Sequence, residues 1–183
     1  VNEASKIRSE ILPLLSDKTV LDLGCGDEKV VPWAVGVDSG TSWKETPKAV
    51  DLVSAIDGAS GVLAHSLLCA GKPVLYDVVF SSHSLEHVFS PIMRVLLDWL
   101  SLVRVSGCLI LYVPDEMKYQ FSPANPRVHN PEHLHFLTAE VMRLCLDDLS
   151  ARGFIGVERF EERNAYGGHD DEYSILVVAR RLL

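Results

Sequence analysis

Apolar residues in this chain recur first at helical spacing and then in short runs separated by turn residues. Within residues 3–15, Ile7, Ile11, Leu14 and Leu15 fall three or four positions apart with charged residues between them, which predicts an amphipathic helix on one face of a sheet. Seven runs read as strands: 19–23, 34–38, 49–54, 74–81, 108–113, 154–160 and 173–179. The run 74–81 is the central one, β-branched and aromatic and broken only by Asp77. Helices are predicted over 60–69, over 92–103, where Met93, Leu96, Leu97 and Leu100 share a face, and over 139–150, capped by Thr138 and ended by Gly153. Strands alternating with helices build a doubly wound, Rossmann-like α/β sandwich. The polar, glycine-containing segment between the last two strands makes them a hairpin, so the seven-stranded sheet is mostly parallel with one antiparallel strand. Residues 1–183 are expected to form a single domain.

Two strand ends carry candidate chemistry. Val20-Leu21-Asp22-Leu23 breaks into Gly24-Cys25-Gly26, where missing side chains let the backbone turn sharply and a ligand approach. The next strand ends in Asp38, and a carboxylate beside a glycine turn suits an adenosine site. The link between them is short and interrupted by Pro32, so the usual crossover helix must be cut down or replaced. Residues 39–48 read as loop. Residues 116–135 are rich in Pro, Asn and His and show no clear period, which marks them as an acceptor-side lid in which Tyr119, Phe121 and His133 line a pocket.

Composition narrows the function classes. With 17 Lys and Arg against 25 Asp and Glu, the formal net charge of −8 disfavours a broad phosphate-binding face, so no nucleic-acid partner is expected. No apolar run is long enough to span a bilayer, and no membrane partner is expected either. Cys25, Cys69, Cys108 and Cys145 stand singly, a pattern of reduced thiols that points to the cytoplasm.

The ordered set Val20-Leu21-Asp22-Leu23-Gly24-Cys25-Gly26, Val35-Gly36-Val37-Asp38, Tyr76-Asp77-Val78-Val79-Phe80-Ser81-Ser82-His83-Ser84-Leu85-Glu86-His87-Val88, Arg104 to Asp115, His133-Leu134-His135-Phe136-Leu137-Thr138 and Gly153-Phe154 resembles the class I S-adenosylmethionine-dependent methyltransferases over nearly the whole chain. The shortened link after Gly26 is similar to that of a small subgroup associated with glycan or envelope biosynthesis. The resemblance implies S-adenosyl-L-methionine as cofactor and methyl transfer to a small-molecule acceptor, on oxygen, with a sugar or glycan precursor as one such acceptor. It implies that the backbone of Gly24, Cys25 and Gly26 meets the methionine part, Asp22 holds its ammonium, and Asp38 accepts from both ribose hydroxyls. Asp57 or its neighbours would contact adenine, and Ser81 and Ser82 would lie beside the sulfonium.

The proton acceptor is sought among the histidines. His83 and His133 are the candidate catalytic residues, whereas His87 capping its own turn and His135 packing beside Phe136 account for the other two. A rival reading takes His83-Ser84-Leu85-Glu86-His87 as the His-x-x-Glu-His motif of a zinc hydrolase, but the run follows a strand end rather than lying within a long helix, and no metal is expected at His83 and His87. A dinucleotide oxidoreductase is disfavoured because Lys29 stands where a third glycine belongs. A non-catalytic, cofactor-binding partner subunit on the same fold is the remaining alternative.

Overall fold

A computed structural model describes residues 3–39, 49–58, 61–120, 130–165 and 172–183. One sheet contains β1 (Val20–Leu23), β2 (Val35–Asp38), β3 (Leu52–Val53), β4 (Tyr76–Ser82), β5 (Val103–Pro114), β6 (Ile155–Ala165) and β7 (Glu172–Arg181). Their order is β3-β2-β1-β4-β5-β7-β6, and neighbours are parallel except where β7 meets β5 and β6. Six strands therefore run one way and β7 runs against them, as the expected hairpin requires. The chain leaves β1 toward β2 on one side and returns to β4 on the other, so a crevice opens at the carboxyl ends of β1 and β4, where open α/β sheets bind ligands.

Period-two alternation sends the strand side chains into two cores. Leu21, Val79, Leu109, Leu111, Ile175 and Val177 pack under α2 (Val62–Cys69), α3 (Ile92–Ser101) and α5 (Ala139–Ala151), which bury Leu67, Trp99 and Leu146 among others. Val20, Val78, Phe80, Ile110, Tyr112 and Leu176 face the other way, under α1 (Arg8–Leu15) and the link that follows Gly26. That link has no helix; Val30, Val31 and Ala34 fill the space a crossover helix would occupy.

Several expected boundaries move. The first helix is split into a 3-10 turn, Glu3–Lys6, and α1, which carries Pro13 within it. The third strand contracts to two residues, α3 stops at Ser101, and Val103 already belongs to β5. β5 starts early because Val103 pairs with Tyr76; the chain then bulges through Ser106, at φ 66°, before Cys108 takes up register with Val78. Asp77 interrupts the central strand for a reason: its Oδ2 accepts from the Thr19 amide (2.8 Å) and hydroxyl (2.7 Å), and Arg104 donates to its other oxygen (3.0 Å), closing the strand entrance. Residues 116–120, expected to be irregular, form a short helix, α4 (Glu116–Gln120), started by Asp115, whose carbonyl accepts from the Lys118 and Tyr119 amides. Thr138 does cap α5, its hydroxyl accepting from the Val141 amide at 3.2 Å. Most of the expected loop 39–48, together with Phe121 and residues 122–129 of the expected lid, lies outside the described residues.

Candidate functional site

The end of β1 is fastened to the end of β2. The Val37 carbonyl accepts from the amides of Gly24 (2.8 Å) and Cys25 (3.3 Å), and Asp38 Oδ2 accepts from the Gly26 amide (3.1 Å). Gly24 and Gly26 sit at φ 74° and 54°, a region that a side chain makes costly. A β-carbon on Gly24 would stand 1.9 Å from Ser84 Oγ, so this turn needs glycine on steric grounds as well. A β-carbon on Gly26 would meet nothing within 4 Å, leaving its outer face open to a ligand. Glycine turn and carboxylate thus come together, as their spacing in sequence suggested.

Asp22 and Cys25 lie beneath this surface. Asp22 is 2% exposed, its Oδ2 accepts from the Val30 amide at 2.6 Å, and burial pushes its carboxyl up to about 7. Its role in the structure is to fasten the helix-free link, from below the loop. The Cys25 thiol is also buried, lies against the Gly36 backbone, and is pushed up to about 12 by burial, with Asp22 and Asp38 adding to the effect. Only the Cys25 backbone belongs to the loop surface.

Ser81 is buried and donates to the Leu23 carbonyl (3.0 Å), tying β4 to β1, while Ser82 Oγ is buried with no partner among the described residues. After β3, the chain turns its Ile56 carbonyl to the Trp99 indole N–H (2.8 Å) and presses Gly58 onto Val95. The side chain it extends toward Gly24 is that of Ile56, 3.5 Å from where a β-carbon would lie. Asp57 instead lies on the α3 side, where its charge adds to the burial that raises Asp98. Ile56, a neighbour of Asp57, and Ser84, within the Tyr76 to Val88 run, therefore stand beside the turn, a place that the sequence reading gave to neither by itself.

Beyond β4 the chain enters a histidine and glutamate cluster. His83 takes φ 48°, and a 3-10 turn, Leu85–His87, follows. The Glu86 carbonyl accepts from the amides of Leu134 (2.8 Å) and His135 (3.0 Å), which docks residues 133–135 on this turn. His133 Nδ1 then pairs with Glu116 Oε1, and His87 Nδ1 donates to the Glu132 carbonyl at 2.9 Å. His135 Nε2 donates to the Ser90 carbonyl (3.1 Å), a structural task. His83 has other neighbours: its Nε2 meets Ser174 Oγ at 3.1 Å, its Nδ1 lies 3.6 Å from Glu86 Oε1, and its ring packs on the edge of Tyr112.

The electrostatics separate these groups. Burial pushes Glu86 up to about 8 and His83 down to about 3, and lowers His87 as well. Burial also acts to lower His133, but the Glu116 bond and the Glu86 charge outweigh it and hold His133 above its ordinary value. A neutral His83 bound to a serine is a weak proton acceptor, whereas His133 is oriented by a carboxylate. The zinc-hydrolase pattern requires His83 and His87 on one face of an α-helix, and a three-residue 3-10 turn with His83 turned to Ser174 does not provide it.

No protein-family model matches the sequence, and no curated protein matches it. Solved structures do. An S-adenosylmethionine-dependent methyltransferase from Mesorhizobium loti superposes with TM-score 0.62 at 18% identity, covering 96% of both chains. A SAM-dependent methyltransferase from Archaeoglobus fulgidus gives 0.62 at 18% identity over 97% of this chain and 92% of its own. The plantazolicin methyltransferase BpumL, solved with S-adenosylhomocysteine, gives 0.62 at 11% identity over 100% of this chain and 83% of its own. The fold is that of the class I S-adenosylmethionine-dependent methyltransferases, with its seven-stranded sheet and antiparallel β7.

Proposed function

We propose that the chain is an S-adenosylmethionine-dependent methyltransferase acting on a small molecule, at oxygen, with sugars and glycan precursors as the first acceptors to try. The observation that carries this reading is the Gly24 to Gly26 turn fastened to Asp38 at the carboxyl ends of adjacent parallel strands, with the outer face of Gly26 open. When bound, the cofactor supplies a methyl group already activated on a sulfonium. The chain's own work is then alignment and exclusion of water. Asp38 keeps a carboxylate beside the turn, able to receive ribose hydroxyls. Ile56 provides an apolar wall next to Gly24, and Ser82, with its buried hydroxyl unpaired, is the polar group at the end of β4. On the acceptor side, His133 is the catalytic candidate that the surroundings support better than His83. Residues 116–135 are proposed as the acceptor lid.

Two further observations bear on the acceptor. The net charge of −8 argues against a polyanionic substrate, and among the described residues no helix is long and apolar enough to cross a membrane. The reading of the chain as a non-catalytic partner subunit is disfavoured by the carboxylate-oriented histidines around the buried Glu86, for which simple cofactor storage has no use. The test is calorimetry with S-adenosylmethionine and S-adenosylhomocysteine, run beside reduced nicotinamide cofactors. Saturable binding of the first two alone is expected. A folded protein that binds neither overturns the proposal.

A further inference from the structure

Glu86 is wholly buried, and neither of its carboxylate oxygens has a hydrogen-bond partner among the described residues. Besides His83, whose Nδ1 is 3.6 Å from Glu86 Oε1, two imidazole nitrogens point at it: His87 Nε2 lies 3.8 Å and His133 Nε2 4.0 Å from Glu86 Oε1. Each of these rings has its proton engaged on the far side. His87 Nδ1 gives its hydrogen to the Glu132 carbonyl, and His133 Nδ1 is engaged with the Glu116 carboxylate, so each ring in its neutral form, the form that binds a metal, presents an Nε2 lone pair. Two ring nitrogens thus converge on a wholly buried carboxyl group whose oxygens make no hydrogen bond among the described residues, an arrangement that water-poor interiors do not leave uncompensated.

We propose that Glu86 Oε1 and the Nε2 atoms of His87 and His133 form a binding site for one divalent first-row transition cation. The ligand atoms lie within 4.8 Å of one another, and closing the widest spacing by about 1.2 to 1.5 Å brings them to that of donors sharing a tetrahedral ion at about 2.0 to 2.2 Å. Two histidines and one carboxylate are a donor set suited to such ions, and three protein ligands leave coordination positions for oxygens of a bound acceptor. The bonds from Nδ1 to a carboxylate and to a backbone carbonyl are the outer-shell partners that orient metal-binding histidines. The site differs from the His83, Glu86 and His87 run considered from sequence, because His83 is spent on Ser174 and His133 arrives from forty-six residues beyond His87 through the Glu86 carbonyl. The inference deepens the methyltransferase reading of this site: with the cation bound, His133 acts as ligand and the acceptor's hydroxyl is held on the metal.

The experiment uses chelator-treated full-length protein and three probes, Co2+, Mn2+ and Zn2+, with binding read by equilibrium dialysis and elemental analysis and, for Co2+, by its visible spectrum. One equivalent per chain is expected for at least one probe. Glu86→Gln and His133→Ala should each weaken it at least about tenfold, and Glu116→Gln, which removes only the orienting charge, about 10- to 100-fold. His65→Ala, an exposed histidine elsewhere, should change nothing. If circular dichroism shows that Glu86→Gln does not fold, His87→Ala, at a half-buried position, decides in its place. Substoichiometric binding of all three ions by folded protein overturns the inference, as does stoichiometric binding unaffected by His87→Ala and His133→Ala. S-adenosylhomocysteine is titrated into the same samples. Cofactor binding without metal binding sinks only the cation site, and metal binding without cofactor binding sinks only the methyltransferase reading.

Discussion

Ser84 Oγ occupies the position into which a β-carbon of Gly24 would project, 1.9 Å away, so the segment after β4 is the lid of the turn after β1. Gly24→Ala is expected to lower stability by about 2 to 4 kcal/mol, combining the left-handed φ with the collision, and to abolish S-adenosylhomocysteine binding. The two parts separate in the Gly24→Ala/Ser84→Gly double variant, which removes the collision and leaves the strained φ. Urea denaturation should show it recovering more than half of the loss; no recovery would mean that the contact is irrelevant.

Asp38→Ala is expected to weaken S-adenosylhomocysteine binding by about 1.5 to 3 kcal/mol, because the variant loses both a ribose acceptor and the anchor of the Gly26 amide. Calorimetry checks this. Unchanged affinity in a folded variant would remove Asp38 from the site.

Asp22 sets a pH dependence of stability. Its folded carboxyl is held at about 7 against 3.8 for the exposed group, so the folded state keeps a proton that the unfolded chain releases. The favourable contribution is full below pH 4, is lost as pH rises through 7, and amounts to up to about 4 kcal/mol. Asp22→Asn keeps an oxygen for the Val30 amide without the charge. Its stability should match wild type near pH 4 and exceed it at pH 8, measured by denaturant titration at both values.

His135 and His133 should part company. His135→Ala removes a hydrogen bond to the Ser90 carbonyl and is expected to cost about 1 kcal/mol of stability without altering turnover once an acceptor is known. His133→Ala is expected to abolish turnover while sparing cofactor affinity. Thermal melts, calorimetry and product analysis on both variants provide the check.

The ends of the proposed lid are fixed to the body, Glu116 through the Leu137 carbonyl and Leu134 and His135 through that of Glu86. Hydrogen exchange should therefore show these three amides protected with and without ligands, and any acceptor-dependent change confined to the stretch between Gln120 and Asn130. Uniform, ligand-independent protection across residues 116–135 would make the segment a connector.

The meeting of the glycine turn with a carboxylate was readable in sequence because its signals are local. A buried strand breaking into Gly24 and Gly26, and a second ending in Asp38, announce themselves within a few residues. The mostly parallel sheet followed from the same alternation. The acceptor half was not readable, because His133 reaches Glu86 through backbone hydrogen bonds from a segment without periodicity, and His83 was drawn off by Ser174, ninety-one residues away. Asp22, which its motif assigns to the cofactor's ammonium, also receives the Val30 amide and so fastens the helix-free link, a task its motif does not announce. Early β5 escaped notice because Ser106 and Gly107 look like a strand start when they are a bulge.

The N-terminal helix has a consequence for the order of assembly. Glu10 of α1 pairs with Arg159 and Arg163 of β6, and Ile7 and Ile11 share a core with Leu176 and Val178 of β7. Contacts across some 150 residues wait until β6 and β7 have left the ribosome, and until then α1 packs only against the earlier part of its core, Val20, Val78 and Phe80 among others. This side of the core is therefore completed late, by a long-range closure between α1 and the β6–β7 hairpin of the kind that folds slowly and leaves time for a chaperone to act.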